Sequence, residues 1–142
     1  MSTVFRFLLV LSFAVATAGS AWAQGGVEPR TALIIGNSAY PIALLGNPVN
    51  DATDLAQVLR GADFDVTLQT DADQQNMQEA VHTFAWKLKQ KGGVGLFYFA
   101  GHGMQINGEN YILPIMQGEA TDEAIRAHAV GVDNVGGVRS SL

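Results

Sequence analysis

A histidine between two glycines, Gly101-His102-Gly103, ends the apolar run Val94-Gly95-Leu96-Phe97-Tyr98-Phe99-Ala100. Such a run suits a strand covered on both faces. Flanking glycines let the backbone turn sharply or approach another group closely. The pattern predicts a buried strand that delivers an imidazole to its carboxyl end, where open parallel sheets collect ligands and chemistry. There His102 can serve as general base, and the backbone N–H of Gly103 can help bind an oxyanion. A base of this kind works on a nucleophile, ordinarily Ser or Cys. The chain contains no cysteine, which removes thiol nucleophiles, thiolate metal sites and disulfides from these 142 residues.

Two plainer readings of the stretch stand beside that one. It can be a core strand closed by a glycine turn that His102 merely caps, or an esterase-type oxyanion loop. The latter needs a later Gly-x-Ser-x-Gly elbow, and none occurs. Asp51 is the acidic residue that topology can bring near His102. Its position also suits a partner of a helix dipole, worth about 0.3–1 kcal/mol, so pocket acid and dipole partner both stay open. The pairs Asp63/Asp65 and Asp71/Asp73 fall at element boundaries and read as solvated turn residues rather than metal ligands. His82 and His128 have no partner nearby in sequence. No metal or cofactor is expected.

The elements that must position these groups follow from periodicity. Thr31-Ala32-Leu33-Ile34-Ile35-Gly36 reads as a buried strand stopped by glycine, with Asn37-Ser38-Ala39-Tyr40-Pro41 as the loop at its carboxyl end. A helix follows, with Asn47 as expected N-cap, Pro48 at the first position and Gly61 as terminator. Its apolar stripe is Val49, Ala52, Leu55, Ala56 and Leu59. Phe64-Asp65-Val66-Thr67-Leu68 alternates as a second strand. A second helix starts from Asp73, or alternatively Asp71, with Met77, Val81, Phe84 and Leu88 as its stripe. Lys87, Lys89 and Lys91 complement its dipole. The apolar run is the third strand, and Asn107-Gly108 is a hairpin turn closed by Pro114. Residues 124–135 suggest a weak helix, and 136–142 a frayed end.

Alternating strands and helices build an α/β sheet with right-handed parallel crossovers. The expected strand order is 2-1-3, with the helices on opposite faces and a crevice between the first and third strands. The loop after the first strand, the start of the first helix with Asp51, and His102 with Gly103 all open onto it.

The length permits one domain. A net charge of -5 without a basic stretch argues against a nucleic-acid partner. Arg6, the apolar Phe7-to-Ala18 segment and Ala21-Trp22-Ala23 have the order of an export leader cleaved before Gln24. The apolar run is too short to span a bilayer comfortably. Residues 1–23 are therefore assigned as a signal peptide, 24–29 as a linker, 30–116 as the domain and 117–142 as a poorly defined tail. The product is expected in the periplasm or secreted space, off the membrane.

Four stretches together resemble a known family. Leu33-Ile34-Ile35-Gly36-Asn37, Leu45 through Asn50-Asp51-Ala52, Phe97 through Gly103, and Asn110-Tyr111-Ile112-Leu113-Pro114 are similar to the large subunit of bacterial caspase-like and metacaspase-like peptidases, peptidase family C14. The order and spacing match over about residues 30–116. The resemblance implies a three-layer αβα caspase-hemoglobinase fold with a mostly parallel sheet, incomplete on its C-terminal side. It implies a polypeptide substrate and a cysteine–histidine dyad with His102 as base. It implies that the Gly103 amide contributes to the oxyanion hole, and that Asp51 matches the acid that binds Arg or Lys before the scissile bond. In that family the cysteine ends the next strand, in an Asp-Ala-Cys or Asp-Ser-Cys context absent here, so the chain reads as truncated and inactive as given. The alternative is a catalytically dead caspase-like module that binds a protein partner. Without the cysteine strand, the free edge of the third strand is expected to be bare and to drive self-association.

Overall fold

The computed structural model of the chain describes residues 26–41, 43–118 and 121–131, and the backbone of residues 8–16. In chain order the elements are β1 (Leu8–Ala16), β2 (Arg30–Gly36), α1 (Pro48–Gly61), β3 (Asp65–Thr70), α2 (Gln74–Lys91), β4 (Val94–Ile106), β5 (Glu109–Ile112), α3 (Asp122–His128) and β6 (Val130–Gly131). The leader motif Ala21-Trp22-Ala23 and the tail from residue 132 onward lie outside the described residues.

The parallel core has the order β3-β2-β4, as the strand–helix alternation predicts. β2 pairs Gly36 with Thr70 on one side and with Ala100 on the other, so all three carboxyl ends lie on one edge. Side chains alternate across the pleat and sort into two cores. Ala32, Ile34, Tyr98 and Ala100 pack with Ala52, Ala56 and Leu59 of α1. Leu33, Ile35, Phe97 and Phe99 pack with Met77, Val81, Phe84 and Leu88 of α2. Phe97 and Phe99 are fully buried, each worth about 1.5–3 kcal/mol relative to exposure. The helices therefore cover opposite faces with the stripes that periodicity selected. Among the described residues no helix is long and apolar enough to cross a membrane.

The first helix departs from expectation at both ends: Gly61 is its last helical residue, with Ala62 as C-cap, and its N-cap also differs. Asp73 caps α2 as expected, its carboxylate accepting the Asn76 N–H at 2.8 Å. Asn47 makes no side-chain cap bond at α1. Ser38, from the loop after β2, supplies the acceptor instead, with the Val49 N–H donating to its Oγ at 3.2 Å. The cap comes from a residue distant in sequence because Gly36 lets α1 settle onto the end of β2. A Cβ there would collide with the Pro48 carbonyl and the Ala52 methyl. Ser38→Ala is expected to lower stability by about 1 kcal/mol and Asn47→Ala by less than about 0.5 kcal/mol, read by urea denaturation.

Of the two roles open to Gly101, a turn or a close approach, β4 has the second. The strand runs unbroken through His102 to Ile106, and neither Gly101 nor Gly103 has positive φ. His102 thus sits inside a strand, at the point where β4 leaves the parallel core and begins pairing with β5. Gly101 is small for steric reasons: a Cβ would lie 2.6 Å from the Tyr40 hydroxyl and 2.7 Å from the Phe99 ring. The Asn107-Gly108 turn forms as predicted, with φ of 53° and 85°, joining β4 to β5.

The far edge of β4 is not bare in the 142-residue chain. β1 lies antiparallel along it, from Leu8 opposite His102 to Ala16 opposite Val94. This backbone belongs to the segment read as an export leader, so cleavage before Gln24 would strip the edge. No charged residue lies between Val94 and Ala100 to protect it. A chain beginning at Gln24 is expected to elute as larger species in size-exclusion chromatography where the 142-residue chain elutes as a monomer.

Residues 121–131, within the expected tail, form a short helix and a short strand. Thr121 caps α3 through the Ala124 N–H at 3.1 Å. Ile125 is buried, and Val130 joins the α2-side core.

Candidate active site

His102 is fixed at its ring and at its backbone. The ring Nε2 lies 2.9 Å from the carbonyl oxygen of Ala43. A carbonyl can only accept, so Nε2 carries the proton and Nδ1 is the basic nitrogen of the neutral ring. Tyr40 packs against the imidazole with centroids 4.5 Å apart. The His102 backbone N–H donates to the Tyr40 hydroxyl at 3.1 Å, and that hydroxyl donates to the Leu113 carbonyl at 2.8 Å.

The direction of the Gly103 amide follows from ladder alternation. The Leu113 N–H donates to the His102 carbonyl at 2.9 Å, which makes His102/Leu113 a hydrogen-bonded position. Gly103 opposite Ile112 is then a non-bonded one. The Gly103 N–H therefore points away from β5. The Ala100 carbonyl, of the same parity as His102, accepts from Asn37 N on the β2 side. β5 thus continues the edge that β2 occupies, and Gly103 aims its amide at the edge β1 flanks.

Asp51 lies exposed in the first turn of α1, its N–H donating to the Asn47 carbonyl at 2.9 Å. α1 begins over Gly36, at the carboxyl edge. Burial raises the pKa of the Tyr98 phenol, and the nearby Asp51 charge raises it further. Tyr98 and His102 share a parity on β4, which places Asp51 and His102 on the α1 face of the sheet.

The loop after β2 holds the residues that sequence reasoning left unassigned. Asn37 is fully buried. Its Oδ1 accepts the Ala72 N–H at 2.9 Å, and its Nδ2 donates to the Ala72 and Leu113 carbonyls, each at 3.3 Å. Asn37 thereby ties the end of β2 to the start of α2 and to the segment after β5. The only signal for it was a polar residue directly abutting an apolar run. Ala43 acts through its carbonyl, which carries no residue-type signal at all. Burial pushes the Tyr40 phenol well above its usual range, opposed by the hydrogen bonds to His102 and Asn37. A phenol with a raised native pKa stabilises the fold below the unfolded value, near 10, and that contribution is lost as pH rises beyond it. Stability is expected to fall above about pH 10 by up to roughly 1.4 kcal/mol per unit for each such phenol. Tyr40→Phe should flatten that slope in denaturant melts recorded across pH.

The aspartate pairs have structural employment. The Asp71 carboxylate accepts the Ser38 and Ala39 N–H groups at 2.7 and 2.9 Å, and Asp73 caps α2. Asp65 pairs with Lys87 at 3.0 Å and Lys91 at 2.9 Å, and those lysines lower its pKa. Asp63 sits at φ 62° in the turn after α1. His82 is exposed. His128, with no partner nearby in sequence, finds one distant in the chain, its Nδ1 lying 2.8 Å from Gln74 Oε1.

The α/β domain thus carries at its carboxyl edge an imidazole held by a backbone carbonyl and, one residue on, an amide directed at the edge that β1 flanks. Comparison with known proteins assigns the domain to a family. The caspase domain model of peptidase family C14 matches residues 29–135, and the chain belongs to that family. It is 37% identical over 89 residues to the human mucosa-associated lymphoid tissue lymphoma translocation protein 1. Its mouse homolog is equally similar, at 37% over 89 residues. Each match covers 62% of this chain but only 11% of the relative's length.

Proposed function

We propose that this chain provides the base half of a cysteine endopeptidase site that cleaves polypeptides after Arg or Lys. The observation that carries the proposal is the His102 ring, protonated at Nε2 by its bond to Ala43. That leaves Nδ1 to take a thiol proton beside an edge toward which the Gly103 amide points. The assigned roles are general base for His102, oxyanion donor for Gly103 and acceptor of the substrate's basic side chain for Asp51. No cysteine is present among these residues, so the thiol belongs to polypeptide outside the 142 residues. The metacaspase-like character of the site rests on the same Asp51 assignment. Export with cleavage after Ala23, into the periplasm or secreted space, belongs to this proposal and rests on the leader pattern.

The absence of a nucleophile favours a second reading, in which the same crevice binds basic peptides without cutting them. Both readings require recognition of Arg. Titration of the 142-residue chain with acetyl-arginine amide, followed by backbone amide NMR, should shift signals around Asp51, Tyr98 and His102. Asp51→Asn should remove those shifts. Equal shifts with acetyl-aspartate amide would contradict the basic preference.

A further inference from the structure

The hydrogen-bond pattern around His102 departs from a regular ladder in one place. His102/Leu113 is a hydrogen-bonded position, and the two residues should exchange both backbone bonds. Only one is direct: the Leu113 N–H donates to the His102 carbonyl at 2.9 Å. The reciprocal bond passes through a side chain. The His102 N–H donates to Tyr40 Oη at 3.1 Å, and Tyr40 Oη donates to the Leu113 carbonyl at 2.8 Å. The hydroxyl is inserted into the ladder. Gly101 accommodates it, since a Cβ there would lie 2.6 Å from that oxygen. Asn37 steadies the same carbonyl from the other side at 3.3 Å.

We propose that Tyr40 is the positioning residue of the catalytic histidine, its hydroxyl spacing His102 away from Leu113 so that the ring reaches the Ala43 carbonyl. Tyr40 and Ala43 belong to one loop. That loop therefore holds the histidine at its backbone N–H, at its ring face and at Nε2. Without the hydroxyl, the His102 N–H and the Leu113 carbonyl close into a direct bond. The closure draws the His102 backbone toward Leu113 and the ring off Ala43. Nε2 then loses its fixed acceptor, and the proton distributes between the two ring nitrogens. Tyr40 touches no substrate; it acts through His102 by selecting the tautomer that leaves Nδ1 basic.

The inference rests on reading His102 as the base, yet its test requires neither substrate nor nucleophile. Imidazole nitrogen NMR on the 142-residue chain reads the tautomer directly, with His82 and His128 as internal references. The wild-type His102 ring should be dominated by the Nε2–H form at alkaline-neutral pH. Tyr40→Phe, which keeps the ring contact and removes only the oxygen, should change the tautomer ratio by roughly fivefold to tenfold, equivalent to one hydrogen bond. The references should stay fixed. Leu88→Val, a destabilising change in the α2-side core, should leave the His102 ring spectrum unaltered. A Tyr40→Phe variant that melts earlier but keeps the wild-type His102 tautomer would overturn the proposal and leave Tyr40 a packing residue. Failure of arginine binding would bear on Asp51 and leave this result intact.

Discussion

The purified 142-residue chain is expected to show no measurable cleavage of peptides carrying Arg or Lys before the scissile bond. His102→Ala is expected to leave that blank result unchanged. The expectation follows from magnitudes. In a nucleophile–base unit, removing one member costs about as much as removing the whole, on the order of 10⁶ in turnover. A surviving oxyanion donor, the role proposed for the Gly103 amide, is worth only about 10²–10³. Ser38, the hydroxyl on the loop nearest the carboxyl edge, is already committed to the α1 cap through the Val49 N–H at 3.2 Å. No imidazole is bonded to it. Fluorogenic-substrate assays decide the matter. Turnover that co-purifies with the chain and disappears in His102→Ala would reveal a nucleophile other than cysteine.

The largest expected effect on folding comes from Asn37. Asn37→Ala should destabilise the domain by about 3 kcal/mol, a large part of the 5–15 kcal/mol typical of a small domain. The reasoning separates the groups it serves. The Leu113 carbonyl keeps its bond from the Tyr40 hydroxyl, and the Ala72 carbonyl keeps the Ile115 N–H at 2.9 Å. The Ala72 N–H has Oδ1 of Asn37 as its acceptor and is left buried without it, a penalty of about 1–3 kcal/mol. The emptied volume beside Met77 adds a cavity cost. Asn37→Asp should be worse, although it retains an acceptor for Ala72. It sets carboxylate oxygen against two carbonyls and buries a charge. Thermal melts of the two variants should rank wild type above Asn37→Ala and Asn37→Asp lowest. An Asn37→Asp variant as stable as wild type would contradict the buried hub.

How much of this could be read from the chain depends on how far each signal travels. The Leu33–Ile35 and Leu96–Phe99 runs, the α1 and α2 stripes, the Asp73 cap and the Asn107-Gly108 turn are local patterns, and each forms as the periodicity and cap chemistry imply. Strand order follows from connection rules, which by themselves put His102 and Asp51 on one edge. The arrangement around His102 was not legible. Tyr40 reaches Leu113 across 73 positions and Asn37 reaches Ala72 across 35. Ala43 contributes a backbone atom that any residue possesses. At Gly101 the sequence leaves a turn and a close approach both open, because glycine required for close approach looks, in sequence, like glycine required for positive φ; the structure has the close approach. The weak helix expected over 124–135 forms as Asp122–His128, and the strand Val130–Gly131 within that range carried no signal: a seven-residue helix and a two-residue strand leave too few positions for a periodic pattern. β1 reflects competition of another kind. An apolar, uncharged segment satisfies the demands of an export leader and those of an edge strand equally well.

The central claim is that Asp51, His102 and the edge faced by the Gly103 amide form one crevice that recognises a basic side chain and presents a basic Nδ1. An arginyl chloromethyl ketone tests all of it in one measurement. Asp51 would bind the arginine, and the alkylating carbon would meet the strongest nearby nucleophile, which in a chain without cysteine is the imidazole nitrogen. Peptide mapping by mass spectrometry after incubation should find the adduct on His102, with His82 and His128 unmodified and the labelling lost in Asp51→Asn. Labelling spread equally over the three histidines, or a His102 adduct indifferent to Asp51, would contradict the account.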